Sequence, residues 1–142
     1  MSDLVVDSSV VAKWILPEAD SAKAQQLIGQ AAARGERLIV LDLVFPEVAN
    51  AIWKRHRQQL IDLSEARNLL TALVRSPVAV EPAVSLLASA FEIATKYDRA
   101  VYDALFVALT RQRNVPGITA DEPLFNTVHT DFPQIALLRD FP

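Results

Sequence analysis

The sequence predicts an α/β protein in which helices cover both faces of a mostly parallel five-stranded sheet, a three-layer α/β/α sandwich. Two patterns favour this class: short apolar runs alternate with longer segments of helical periodicity, and a helical segment separates each run from the next. The length of 142 residues, of which 51% are apolar, suits one core. We therefore expect residues 1–142 to form a single domain.

The expected elements follow in order along the chain. The predicted strands cover residues 4–6, 38–41, 78–80, 117–119 and 135–138. The predicted helices cover residues 8–14, 21–33, 43–59, 64–76, 84–96, 100–112 and 123–128. Asp42 is the expected N-cap of the third helix, which carries Pro46 in its first turn. Asp98 is the expected turn residue between the fifth and sixth helices.

Composition excludes several classes of protein. The absence of cysteine rules out a disulfide scaffold, a thiolate zinc site and a cysteine nucleophile. The longest apolar run covers residues 104–109, far short of the roughly 18 residues that a membrane span needs. The chain opens Met1-Ser2-Asp3 without a basic stretch, so we expect no signal peptide and a cytoplasmic protein. No phosphate-binding GKS/T loop is present.

The net charge does not decide the class of partner. A formal charge of −3, from 14 basic and 17 acidic residues, argues at first against nucleic acid. If four of the carboxylates bind metal, however, 13 acidic residues remain against 14 basic ones. An acidic total therefore does not exclude a substrate that carries phosphates.

Four acidic residues occupy positions where parallel sheets keep their functional sites, beyond the carboxyl ends of the strands. Asp7 follows the first strand, Glu47 lies at the start of the helix after the second strand, and Asp121 follows the fourth strand. Asp103 lies near the start of the sixth helix, on its apolar face. Carboxylates that converge without histidine or cysteine favour Mg²⁺ or Mn²⁺.

Each of these acids also has a purely structural explanation. Asp7 and Asp121 are suitable N-caps for the helices that follow them, and Glu47 is suited to the positive end of its helix dipole. Asp103 lies four residues after Arg99 and is within reach of its guanidinium. All four lie at one predicted edge of the sheet, which favours a common site over four separate structural roles.

Four short segments around these acids resemble the signatures of PIN-domain proteins, and most closely those of VapC-type toxins from prokaryotic toxin–antitoxin pairs. The segments are VVDSSV at 5–10, PEVANA at 46–51, VYDAL at 101–105 and TAD at 119–121, and the resemblance extends over residues 3–138. It implies a parallel five-stranded α/β/α sandwich. It also implies that Asp7, Glu47, Asp103 and Asp121 bind metal, with Ser8 or Ser9, Asn50 and Thr119 as the polar residues around them. Asp98 departs from the pattern, because relatives more often have a glycine-like turn residue there.

The resemblance implies a ribonuclease that uses one or two Mg²⁺ or Mn²⁺ ions and leaves a 3′-hydroxyl and a 5′-phosphate. It implies a VapB-like antitoxin as partner. Separately from the resemblance, we expect a homodimer, because the first and third helices carry more apolar surface than a small monomer needs. The alternative is a PIN-fold module that binds or processes RNA with weak or no nuclease activity, outside a toxin–antitoxin operon.

Basic residues that could hold RNA lie on the helix that begins near Glu47. Asn50, Lys54 and Arg57 fall within about 80° of the Glu47 direction at roughly 100° per residue. Arg55 extends this basic stretch and Lys13 is a further candidate, although a solvated helix end explains the stretch equally well. Apolar residues of the first and third helices exceed the needs of a small monomer, so we expect part of them to contact a partner: Val11, Trp14, Ile15, Leu16, Val44, Phe45, Val48, Ile52 and Trp53.

Overall fold

The fold rests on five parallel strands. A computed structural model describes residues 3–142, so Met1 and Ser2, on which the expectation about a signal peptide partly depends, lie outside the described residues. The strands are β1 (Asp3–Val6), β2 (Arg37–Leu41), β3 (Val78–Glu81), β4 (Gly117–Thr119) and β5 (Ile135–Leu137). Their order in the sheet is β3-β2-β1-β4-β5, and every neighbouring pair is parallel.

Helices flank this sheet and complete the predicted α/β/α sandwich. In the described part of the chain they are α1 (Ser8–Ile15), α2 (Ser21–Arg34), α3 (Val44–Arg57), α4 (Leu63–Val74), α5 (Leu87–Tyr97), α6 (Val101–Arg113) and α7 (Glu122–Val128). Short 3₁₀ turns lie at Ala83–Leu86, between β3 and α5, and at Leu138–Asp140, after β5. The expected fold class is confirmed, and none of the helices within residues 3–142 is long and apolar enough to cross a membrane.

The depth of α6 in the core determines where its first turn lies. Seven consecutive residues of α6, Ala104 to Thr110, are buried, so the helix is enclosed by the rest of the protein along most of its length. It packs on β1 and on β4. A Cβ atom at Gly117 of β4 would lie only 2.5 Å from Thr110 Oγ1 and 3.1 Å from Phe106 Cζ. Glycine therefore permits the close approach of β4 and α6, with Asp103 in the first turn of α6.

The N-terminal caps of α3 and α4 differ from the sequence prediction, and α5 begins at Leu87 and not at residue 84, because a 3₁₀ turn precedes it. The N-cap of α3 is Leu43, without a side-chain hydrogen bond, and the Asp42 carboxylate instead accepts a hydrogen bond from the Ala83 N–H at 3.1 Å. The α4 helix begins one residue earlier than expected, at Leu63, because Asp62 rather than Ser64 caps it by accepting from the Glu65 N–H at 2.8 Å. Asp98 adopts a left-handed conformation with φ of 53° where α5 ends, as expected of a turn residue.

Most of the apolar residues noted on the first and third helices belong to the core, so only a small part of the set remains for the expected contact with a partner. The buried members of that set are Val11, Trp14, Leu16, Val44, Val48 and Ile52. Ile15 and Phe45 are partly buried, and Trp53 is 51% exposed. Large exposed apolar side chains occur elsewhere in the described chain, at Leu60, Leu63, Leu70, Val74, Val80, Val84, Leu87, Phe91 and Tyr102.

Candidate active site

Asp7 lies between β1 and α1, and its two carboxylate oxygens have different partners. Oδ1 accepts a hydrogen bond from the Ser8 N–H at 2.8 Å and so caps α1. Oδ2 accepts from Ser9 Oγ at 2.9 Å and from Thr119 Oγ1 at 2.8 Å. Desolvation raises the pKa of Asp7, the three hydrogen bonds oppose that rise, and the nearby charge of Asp103 adds to it.

Two hydroxyl groups join Asp7 to the end of β4. Ser9 Oγ accepts a hydrogen bond from the Ala120 N–H at 2.9 Å, and Thr119 Oγ1 accepts from the Asp121 N–H at 3.1 Å. Both hydroxyls donate to Asp7, so neither of these buried or half-buried groups is left without a partner. The network fixes the Asp7 carboxylate relative to the loop that carries Asp121.

Glu47 lies in the first turn of α3 and faces the same space as Asp7. Its Oε2 accepts a hydrogen bond from Ser8 Oγ at 3.3 Å. Desolvation is the main cause that raises the pKa of Glu47, and the charges of Asp7 and Asp103 raise it further. Asp103 therefore lies close enough to both Asp7 and Glu47 to destabilise the ionised forms of these two carboxylates.

The other two predicted acids share a cation. Asp103 Oδ2 lies 3.0 Å from Arg99 Nη2, and the same nitrogen lies 3.8 Å from Asp121 Oδ2. Asp121 also caps α7 by accepting from the Leu124 N–H at 3.0 Å. Arg99 Nε is buried without a hydrogen-bond partner. The i,i+4 spacing predicted the contact with Asp103, but nothing in the sequence indicated that Arg99 also reaches Asp121.

The predicted polar neighbours separate into two groups. Ser8, Ser9 and Thr119 donate hydrogen bonds to the carboxylates of Asp7 or Glu47. Asn50 makes no hydrogen bond to any of the four acids in the described chain, and it is exposed one turn beyond Glu47. Asn50 therefore lies beside the acidic cluster and does not support it.

A narrow acidic pocket and a broader groove adjoin at this edge of the sheet. The acidic pocket is lined by Asp7, Ser8, Glu47 and Asp103, together with apolar residues of β1 and α6. The groove has a volume of about 560 Å³. Glu47 and Asp103 line both, so a molecule that lies in the groove has one end at the carboxylates.

The donor set fits a hard divalent cation in its chemistry. Carboxylate and hydroxyl oxygens surround the acidic pocket, and a cation would offset the desolvation and mutual repulsion of Asp7 and Glu47. Within residues 3–142, however, no three His, Asp or Glu side chains are already gathered as a metal site. Asp103 Oδ2 pairs with Arg99, so an ion bound beside Asp7 and Glu47 would either share the Asp103 carboxylate with Arg99 or displace Arg99 from it.

The predicted RNA-binding cations also fall into two groups. Lys13 Nζ donates to the Ala19 carbonyl at 2.9 Å, and Arg55 Nη2 donates to Glu18 Oε2 at 2.8 Å. These two cations therefore hold the loop between α1 and α2. Lys54 and Arg57 are exposed, and the Arg57 guanidinium lies 5.4 Å from the centre of the Trp53 ring.

The chain is similar to known proteins both in sequence and in fold. The family model of the PIN domain matches residues 4–129. The ribonuclease VapC3 of Pyrobaculum aerophilum is 37% identical over 123 residues, which cover 85% of this chain and 91% of that protein. The crystal structure of PAE2754 from Pyrobaculum aerophilum has a TM-score of 0.73 at 20% identity, covering 98% of this chain and 93% of that one. A toxin–antitoxin complex from Klebsiella pneumoniae contains a chain with a TM-score of 0.64 at 15% identity, covering 95% of this chain and 97% of that one. The chain therefore belongs to the PIN-domain family and, within it, resembles the VapC ribonucleases.

Proposed function

We propose that the protein is a metal-dependent endoribonuclease that acts in the cytoplasm as the toxin of a toxin–antitoxin pair. The observation that carries this proposal is the cluster of Asp7, Glu47 and Asp103 at the carboxyl edge of the sheet, where burial and mutual repulsion raise the pKa values of the first two. Similarity to the ribonuclease VapC3 supports RNA as the substrate.

Asp7, Glu47 and Asp103 would hold Mg²⁺ or Mn²⁺, and Asp121 would serve a second ion if two are bound. Such an ion supplies Lewis-acid activation of the phosphodiester and of an attacking water. Thr119 and Ser9 keep Asp7 Oδ2 in place, and Ser8 orients Glu47. Glu47 either binds the ion or, with its raised pKa, orients the water and accepts its proton. The bond from phosphorus to the 3′ oxygen breaks, and a proton is delivered to that oxygen, giving a 3′-hydroxyl and a 5′-phosphate.

Substitution of Asp7 tests this function. Asparagine caps a helix as well as aspartate does, so Asp7→Asn should keep α1 while removing the buried charge. We expect Asp7→Asn to abolish Mg²⁺- or Mn²⁺-dependent cleavage of pooled cellular RNA. Its melting temperature without metal should equal or exceed that of the parent, because the substitution removes a desolvated charge that the nearby charge of Asp103 repels.

Asp62→Asn is the matched control, because Asp62 is also an aspartate N-cap, that of α4, but lies outside the proposed site. The control should cut RNA at the parent's rate, and EDTA should stop both proteins. Parental cleavage by Asp7→Asn, or cleavage that continues in EDTA, would show that the assignment is wrong.

A second candidate function, RNA binding without cleavage, is favoured by one observation. Arg99 already pairs with Asp103 and lies near Asp121, so the metal-free cluster is partly neutralised from within the chain. A protein of this kind would bind pooled RNA and leave it intact in Mg²⁺ and in Mn²⁺, which the same assay detects.

The proposed antitoxin would inhibit the enzyme by covering the acidic pocket. The pocket is negatively charged, and carboxylates pair well with a guanidinium, so an arginine of the antitoxin is a suitable plug. Similarity in fold to a chain of a toxin–antitoxin complex supports such a partner. We also propose a homodimer formed through exposed apolar side chains. An antitoxin that binds tightly and leaves cleavage unchanged would contradict the plug.

A further inference from the structure

We propose that the groove beside the acidic pocket is a nucleobase subsite, in which an unpaired base of the substrate stacks on Tyr102 and hydrogen-bonds to the Asn50 amide. The inference rests on the proposed ribonuclease function. It adds where the chain holds a nucleotide next to the cleaved bond, and by which contacts. Neither residue is needed to explain the fold or the acidic cluster.

Tyr102 is a largely exposed aromatic residue. It lies in the first turn of α6, directly before Asp103, and 67% of its surface is exposed. Across residues 3–142 its ring makes no aromatic or cation contact and its hydroxyl makes no hydrogen bond. An aromatic face held on a rigid helix beside a phosphate-cleaving site is a suitable platform for a base, because every base has a π face.

The groove has the size and lining that such a base requires. Its volume of about 560 Å³ lies within the range of small-molecule sites, and Leu43, Pro46 and Ala100 supply an apolar surface beside Tyr102. Glu47 and Asp103 close the end that adjoins the acidic pocket. A nucleotide whose phosphate lies at the carboxylates therefore has its base in the groove.

Asn50 supplies the polar contact. It lies three residues after Glu47 on α3, is exposed, and uses neither its amide donors nor its carbonyl acceptor within the described chain. Each RNA base presents a hydrogen-bond donor and an acceptor side by side on its Watson–Crick edge, and a side-chain amide can pair with both. Only an unpaired base exposes that edge, so the subsite should select single-stranded positions without requiring one base.

Charge favours RNA over a protein as the occupant. Lys54 and Arg57 follow Asn50 on the same side of α3, at spacings of four and seven residues, and both are exposed. Neither cation has an ion pair among the described residues. A strand whose base lies in the groove can therefore continue along α3 with its phosphates beside these cations.

The test measures binding in the absence of cleavage. In the Asp7→Asn background with Mg²⁺, fluorescence anisotropy gives the affinity for a labelled single-stranded RNA of mixed sequence and for the same RNA with abasic nucleotides. Tyr102→Ala should weaken binding of the intact RNA about tenfold. Tyr102→Phe should restore the affinity, since stacking needs the ring and not the hydroxyl. Asn50→Ala should weaken binding of intact RNA but not of abasic RNA.

Phe91→Ala is the matched control, because Phe91 is 62% exposed on α5 but does not line the groove. The subsite would be overturned if adding Tyr102→Ala left the RNA affinity of the Asp7→Asn protein unchanged. It would also be overturned if the Asp7→Asn protein bound intact and abasic RNA equally well. If Tyr102→Ala weakens binding of the antitoxin and leaves binding of RNA unchanged, that result would also overturn the subsite and assign the groove to the antitoxin. A parent protein that neither binds nor cuts RNA would instead contradict the proposed function.

Discussion

At the scale of single residues, Arg99 supplies the positive charge of the metal-free site. Its Nη2 lies 3.0 Å from Asp103 Oδ2 and 3.8 Å from Asp121 Oδ2, whereas Asp7 and Glu47 form no ion pair among residues 3–142. A divalent ion and Arg99 therefore compete for the Asp103 carboxylate.

This competition predicts the effect of Arg99→Met. Without metal the variant should melt below the parent, by roughly 1 kcal/mol or less of unfolding free energy, because the ion pair is partly exposed to solvent. Mn²⁺ should raise its melting temperature more than it raises that of the parent, since no cation has to be displaced first. Thermal melts with and without Mn²⁺ measure both effects.

Arg113→Met is the control for this prediction, because Arg113 forms an ion pair of similar exposure with Glu81, away from the acids. The control should be less stable than the parent without any change in its response to Mn²⁺. An unchanged response in Arg99→Met would mean that Arg99 does not compete with the ion.

Asp7 shows why residue roles are hard to assign from a sequence. A helix cap and a site residue are alternatives when only the residue type and its position are known. In the structure Oδ1 caps α1 and Oδ2 accepts hydrogen bonds from the hydroxyls of Ser9 and Thr119, so the cap leaves the second oxygen for the role that we propose. Thr119 lies 112 positions along the chain, and such a contact has no local sequence signal.

At the scale of elements, α3 carries cations of two kinds, which should respond differently to substitution. Lys54 and Arg57 are exposed, whereas Arg55 is tied to Glu18. We expect the double variant Lys54→Gln/Arg57→Gln to bind RNA more weakly. A plot of log affinity against log salt concentration has a negative slope. The magnitude of this slope should decrease by about 0.7 for each phosphate of a single strand that the variant no longer neutralises. Titrations of RNA at several salt concentrations measure this slope.

Arg55→Gln serves as the comparison on the same helix. It should lower the melting temperature, because it breaks the contact between α3 and the loop after α1, and it should leave the salt slope unchanged. A double variant at Lys54 and Arg57 with the parent's salt slope would show that RNA does not follow α3.

The packing of α6 on β4 gives a prediction about two glycines. Gly117→Ala should destabilise the protein by about 1–3 kcal/mol, because the new Cβ would lie 2.5 Å from the buried Thr110 Oγ1. Gly29→Ala in α2 has nothing within 4 Å of its Cβ and should stabilise by about 0.5–1 kcal/mol. Urea unfolding distinguishes the two, and equal stabilities would contradict the close approach of α6 and β4.

The elements that periodicity defines are predictable from the sequence, and the details that depend on distant contacts are not. The strand at 38–41 and the long helix over 100–112 are recognisable because their apolar spacing is set by their own backbone geometry. Asp42 stands next to α3, and its position alone predicts a cap for that helix. Its carboxylate instead binds the Ala83 N–H, 41 residues along the chain, which no local pattern shows.

At the scale of the whole molecule, the sheet determines which apolar residues remain exposed. A sheet covered on both faces needs apolar residues from every flanking helix, so Val11, Val48 and Ile52 are used in the core. The apolar surface that remains includes a group on and just before α4: Leu60, Leu63, Leu70 and Val74, between 43% and 68% exposed. Leu63, Leu70 and Val74 lie at spacings of seven and four residues and therefore share one face of the helix.

This face of α4 is where we expect two copies of the chain to meet. A twofold contact pairs the same patch on both copies, so one apolar face is sufficient to cover itself. Light scattering on a size-exclusion column should give about twice 15.7 kDa at micromolar concentration for the parent. Leu70→Lys/Val74→Lys should give a monomer, because a charge buried in an apolar contact without a partner is costly.

Val84→Lys is the control, since Val84 is 74% exposed but precedes α5, outside this face. A monomeric parent would contradict the dimer itself, whereas dissociation by Val84→Lys and not by the α4 variant would place the contact on the α5 side of the molecule.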